Sequence, residues 1–366
     1  MDLPKSISCP EKLAFSSSLQ DNTWHPRKDE KAYEWWYFDA LSDDGSEGLI
    51  IVFQDNFIYS PSYNRQETDD SLLQLVERPA GRYPAVSFTY FRKGRLRYRF
   101  LTEFPEEAFA ANEEASECKI GNCSFKFESA PYGSGYTVSI NGLMRGNRRI
   151  EAHFEWLLIE SDLANDRFCY YESAHCWNLV APRADVTGRI TVFDRSGRTT
   201  EVRHFRGTGY HDHHMDNRWL AKTIDRWHWG RAHFADASVV FCRYCEIGDN
   251  APGTKMLLVR NGELQDVRVE YEEQDYARDS LGIRYPTKLE LTSEDGMRLL
   301  VKPIATVDSS FFYLRFLSEM TLTLPDEVPR MTIGISEYIS TRSLNYKVVN
   351  WLYDFRTGRG GRAPLI

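Results

Sequence analysis

MLLVRNGELQDVRVEY (residues 256–271) carries the strongest hairpin signal in the chain. Asn261-Gly262 stands between two alternating runs. A two-residue type I′ turn needs positive φ at both central positions, which Asn and Gly tolerate. The same period of two recurs elsewhere. Ile150, Ala152, Phe154 and Trp156 alternate with Glu151, His153 and Glu155, and Leu289 and Leu291 with Lys288 and Glu290. Each pattern turns one side of a strand toward an apolar interior. Asp44-Gly45, Ser196-Gly197 and Asp295-Gly296 supply further turns. Amphipathic helical patterns are scarce, with short candidates at 68–76 and 342–353.

Many antiparallel strands joined by tight turns imply an all-β sandwich or barrels. One barrel of ~8–10 strands consumes roughly 120–180 residues, so a chain of 366 residues suits two such units. A seam is expected at Pro182-Arg183, because proline punctuates strands and a new alternating run, VTGRITVFD, follows. That gives units 1–183 and 184–366.

A net charge of −8 argues against nonspecific nucleic-acid binding, which needs a basic surface. The run Arg95, Arg97, Arg99 alternates with Leu96, Tyr98 and Phe100 and reads as a strand with one wet face. Met1–Gln20 has no apolar core segment, so a cytoplasmic chain with reduced thiols is expected for its seven cysteines. Cys242-x-x-Cys245 lies in a strand-like run without a second pair at zinc-site spacing, and reads as structural. No stretch approaches the ~18 apolar residues of a membrane span. The aromatic share of 14% is high, and a pocket in addition to the core accounts for it.

The segment GTGYHDHHMDNRWLAKTIDRWHWGRAHF (207–234), with His204 before it, holds six of the nine histidines. Interleaved carboxylates and aromatics mark it as a candidate reaction chamber. His-x-His places two imidazoles on one strand face, but the intervening Asp points the other way and no third ligand is evident, so no metal is expected. GxGxxG, P-loop and GxSxG motifs are absent from the sequence, and no cofactor is expected.

Two further segments stand out: EWWYFDA (34–40) and HCWNLVAPRADV (175–186). With GTGYHDHH and WHWGRAHF they resemble the carotenoid 1,2-hydratase (hydroxyneurosporene synthase) family and its AttH-like relatives. The motifs are recognisable from about Tyr33 to WHWGR, and the remainder only in pattern. The resemblance implies two lipocalin-like antiparallel β-barrels in tandem. It also implies catalytic residues in an H-x-W motif, matched by His175 and Trp177, and in a Y-x-D motif, matched by Tyr210 and Asp212. Related lipocalin-like pericyclases fold polyenes into decalins.

Hydration of an unactivated alkene starts with protonation of carbon, which needs a strong, dry acid. A carboxyl group in an aromatic-lined cavity keeps its proton near neutral pH, and Asp212 is the candidate. Tyr210 and Trp177 are expected to stabilise the cation through their π faces, by roughly 0.5–2 kcal/mol each. His175 is expected to position water and accept its proton. Trp36, Tyr37, His213, Trp227 and Trp229 are the candidates for substrate contact. The expected partner is a small apolar polyene or terpenoid, with transient membrane-surface contact. The same protonation could instead begin a cyclisation or an isomerisation, and two other readings stay open. One is a pericyclase that orders a polyene by shape; the other is a non-catalytic carrier of lipid or pigment.

Overall fold

The computed structural model describes residues 12–27, 29–64, 81–131, 133–164, 175–249 and 252–365. Their strands form two curled sheets, one of thirteen strands and one of nine. Pairing is antiparallel except where Leu13–Ser16 joins His175–Phe193 and where Gly358–Arg359 joins Arg95–Glu103. The architecture is the expected one: all-β, with two lipocalin-like barrels in tandem. The Asn261-Gly262 hairpin forms as read. Arg260 pairs with Glu263, and both turn residues have positive φ, 54° and 76°.

In each sheet the first long strand pairs with the last. Tyr33–Ser42, which carries EWWYFDA, runs antiparallel to Thr199–Asp216, which carries YHDHH. In the second sheet Ile224–His233 pairs with Arg330–Ser340. The strand His175–Phe193 runs through Pro182-Arg183, where the sequence suggested a seam, and pairs with Thr199–Asp216. The sheets divide later, between Asp216 and Ile224. Proline there does not end the strand; register shifts between Asn178 and Ala184 absorb the irregularity.

Three large apolar clusters follow from the alternation. One fills the first sheet with Trp36, Phe38, Phe125 and Trp156. One fills the second with Phe241, Leu291 and Met320. The third lies between the sheets and joins Trp35 and Tyr37 to Trp227, Trp229 and Tyr313. Gly209 of GTGY is required by close packing, since a Cβ there would stand 2.4 Å from Val186 Cγ2 and 2.5 Å from Trp156 Nε1. Of the two helical candidates, 342–353 overlaps a 3-10 turn, Thr341–Asn345, and the helix Lys347–Asp354, whose Tyr353 is buried against the third cluster. The candidate at 68–76 lies outside the described residues. No described helix is long and apolar enough to cross a membrane. Cys242 and Cys245 are buried free thiols.

Candidate active site

Side chains two apart on a strand share a face. That rule assembles the site from three neighbouring strands. Antiparallel register sets Asp212 opposite Tyr37, His214 opposite Trp35, and Trp177 opposite His214. The x in H-x-W and in Y-x-D therefore points away, and His175, Trp177, Tyr210 and Asp212 all face the second sheet. Between the sheets lies a cavity of about 70 Å³ that opens to solvent. Asp212, His214, Trp35, Tyr37, Trp227 and Trp229 are among its walls.

Asp212 is buried, and its two oxygens differ. Oδ2 accepts from Tyr210 Oη–H at 2.6 Å, from Trp177 Nε1–H at 3.0 Å and from His214 Nε2 at 3.0 Å. Oδ1 is buried with no hydrogen-bond partner. Burial pushes the carboxyl up to about 7, against the lowering by the hydrogen bonds from Tyr210 and Trp177. With three donors crowded on Oδ2, the proton of the neutral acid belongs on Oδ1.

His175 and Asp212 meet through a third residue. His175 Nε2 lies 2.9 Å from His214 Nδ1, and Tyr33 Oη lies 3.2 Å from His175 Nδ1. One proton order satisfies the row: Tyr33 donates to His175, His175 to His214, and His214 to Asp212. Both imidazoles are then neutral. Burial agrees, lowering His175 to about 4 and His214 well below its usual value. Asp216 is buried beside His175 at 3.7 Å and bound by Arg218 at 2.8 Å. Burial raises that carboxyl, but the hydrogen bonds and charge of Arg218 act against it, and it is held low.

Several expected roles change. His175 is fully buried behind His214, so it is His214 that presents an imidazole at the cavity wall. Trp177 and Tyr210 reach Asp212 with their N–H and O–H groups rather than offering open π faces. Of the candidates for substrate contact, Tyr37, Trp227 and Trp229 line the cavity; Trp36 and His213 do not. Those two stack on each other, 4.8 Å between ring centroids, on the opposite strand face inside the first sheet. Trp35 and His214 went unnamed as site residues, although the step of two from Tyr37 and Asp212 reaches both.

His213 does find the third ligand that the sequence left unseen. His25, Glu34 and His213 bring one ligand atom each within 4.8 Å of the others and could hold a metal ion. Glu34 Oε1 already takes both imidazoles as hydrogen-bond partners, at 3.0 and 2.7 Å. His213 Nδ1 has no partner, whereas a metal-bound imidazole usually donates from its other nitrogen. His211 is satisfied between Asn22 and the Tyr37 carbonyl, each at 2.8 Å. Arg231 forms an ion pair with buried Asp39.

Residues 157–362 match the family described as carotenoid hydratase CrtC. This match extends well beyond the last recognisable motif. The chain is 28% identical over 362 residues to a hydroxyneurosporene dehydrogenase of Chlorobaculum tepidum, covering 95% of this chain and 92% of the relative. Two solved structures share the fold. A protein of Nitrosomonas europaea assigned as AttH superposes with a TM-score of 0.59 at 16% identity, covering 90% of this chain and 97% of that one. Kievitone hydratase of Nectria haematococca superposes with a TM-score of 0.56 at 11% identity, with the same coverage.

Proposed function

This chain belongs to the carotenoid hydratase family and is an enzyme of hydro-lyase type, and from that premise we propose acid-catalysed hydration of a polyene by Asp212. The substrate class is apolar and carotenoid-like. The observation that carries the mechanism is the asymmetry of one buried carboxyl group. Three donors hold Oδ2, and Oδ1 stands unpartnered at an aromatic wall.

Asp212 gives its Oδ1 proton to one alkene carbon, and the π electrons become the new C–H bond. The cation on the other carbon lies among Trp35, Trp227 and Trp229, whose faces stabilise it by roughly 0.5–2 kcal/mol each. Water adds its oxygen to that carbon. Its excess proton returns to the Asp212 carboxylate, so the cycle closes with H and OH added across the double bond. Tyr210, Trp177 and His214 keep their hydrogen bonds to Oδ2 and stabilise the transient carboxylate. The residues supply acid and base without a cofactor.

Asp212→Asn preserves shape and removes the acid. Turnover of an acyclic carotenoid should fall by roughly 10²-fold or more. Binding should persist, because affinity comes mainly from apolar burial. If Asp212→Asn turns over normally while Trp227→Ala abolishes activity, shape rather than proton transfer is the chemistry, and the pericyclase reading replaces this one.

A further inference from the structure

The cavity has a second polar pole that the protonation of an alkene does not use. Arg99 comes from the first sheet; Asp308, Tyr313, Arg315 and Glu337 come from the second, and all five line the cavity. Arg315 donates its Nε–H to Glu337 at 2.7 Å, Tyr313 Oη–H donates to Asp308 at 2.8 Å, and Tyr37 Oη–H donates to Glu337 at 3.1 Å. The two guanidinium groups are less well served. Arg99 Nη1–H reaches the Arg356 carbonyl at a long 3.5 Å, and Arg99 and Arg315 each stop 3.8 Å from Asp308, too far for a hydrogen bond. Both side chains are mostly buried, at 15% and 11% exposure, so what remains open on them faces the cavity.

A pure hydrocarbon filling this space would strip water from charged donors and return nothing. Each such group costs about 1–3 kcal/mol, more when charged. An oxygen on the ligand removes that cost. The pole holds two arginines against two carboxylates, so its formal charge already balances, and a second anion is not called for. Tyr37 links the poles. Its backbone sits in register with Asp212 and its hydroxyl reaches Glu337, so they lie one tyrosine length apart.

We infer that the cavity takes a polyene bearing a neutral oxygen function, carbonyl or hydroxyl, that accepts from Arg315 and Arg99 while a double bond a few carbons away lies against Asp212. This rests on the hydration reading for the role of Asp212, and it fixes substrate specificity and orientation on the two arginines.

Four C15 probes of one skeleton test it: farnesene, farnesol, farnesal and farnesoic acid. Quenching of the cavity tryptophans reports affinity. Farnesol or farnesal should bind wild type at least ~10-fold tighter than farnesene, the scale of one charge-assisted hydrogen bond. Arg315→Gln and Arg99→Gln should each reduce that preference to about threefold or less, with farnesene affinity unchanged. Asp212→Asn should retain it. Equal affinity of wild type for farnesene and farnesal would overturn the inference and assign the pole to bound water. Tightest binding of farnesoic acid would overturn the neutral-oxygen assignment. The wild-type comparison stands even where a variant fails to fold. Loss of preference with intact acid-dependent turnover sinks only the oxygen anchor; preserved preference with no effect of Asp212→Asn on turnover sinks only the hydration reading.

Discussion

Glu34 and Asp212 are both buried carboxylates, on strands that pair with each other, and both bond to an imidazole of HDHH. Yet one is held down at about 2 and the other is pushed up to about 7. Burial raises both. For Glu34, hydrogen bonds and charge from His213 and His25 outweigh it. A backbone N–H from His25 adds to them, and both oxygens are engaged. Asp212 draws its hydrogen bonds from neutral donors, all on one oxygen, and leaves the other bare. The difference is one of strand face. Odd positions of EWWYFDA and even positions of YHDHH look into the inter-sheet cavity; the rest look into the first barrel. One face builds an anchor, the other an acid.

Asp39 is another buried carboxylate of the pair of strands and the sharpest place to break the comparison. Its partner Arg231 is 1% exposed and donates to Oδ1, while Asp39 Oδ2 has no hydrogen-bond partner. Arg231→Met should cost about 3–5 kcal/mol, because an uncompensated charge is left buried. The double change Asp39→Leu with Arg231→Met should recover most of it. Denaturant unfolding of the single and double variants decides whether the pair acts as a unit.

The pH dependence separates the other two. Asp212 must be protonated to act, so kcat/KM should descend as pH rises through about 7, tenfold per unit. Its folded pKa lies above the unfolded one, so between about 4 and 7 the folded state holds the extra proton and stability falls with rising pH. Asp212→Asn should therefore flatten that fall. Glu34 runs the opposite way. Its folded pKa is depressed, so its contribution is present above the unfolded value of 4.5 and is lost as pH drops toward about 2. Glu34→Gln should cost about 2 kcal/mol of stability at neutral pH, the scale of hydrogen bonds to a charged group. It should leave the alkaline limb of the rate profile in place. A limb that moves with Glu34→Gln but not with Asp212→Asn would reverse the assignment of anchor and acid.

The smallest expected effect is also the most specific. Tyr210→Phe and Trp177→Phe each remove one neutral donor from Oδ2. The carboxylate loses stabilisation, and the alkaline limb should move up by about one unit, or ~1.4 kcal/mol. The rate on the acid plateau should change only a few-fold. If these residues act instead as π faces, the plateau should fall and the limb should stay.

Local chemistry wrote much of this into the chain. Alternation set which residues share a face, Asn261-Gly262 set a hairpin, and the i, i+2 spacing of H-x-W and Y-x-D set four side chains on one side of two strands. Those features were legible because a strand's period and a turn's φ are properties of a few consecutive residues. Which face meets which neighbour was not local. That Pro182 is carried inside a long strand was decided by pairing with Thr199–Asp216. That His214 stands between His175 and Asp212 was decided by the register of two strands, which shifts twice between Asn178 and Ala184, far from the Ser196-Gly197 turn that joins them. Glu34 as partner of His213, and Arg99 beside Asp308 and Arg315, join residues more than 150 positions apart. The sequence by itself determined strands, turns and the chemical inventory of the site. It took the packing of the sheets to set which carboxylate has both oxygens engaged and which keeps one bare, because a carboxyl's proton affinity is fixed by desolvation and neighbours in space, and neither is a property of the segment that carries it.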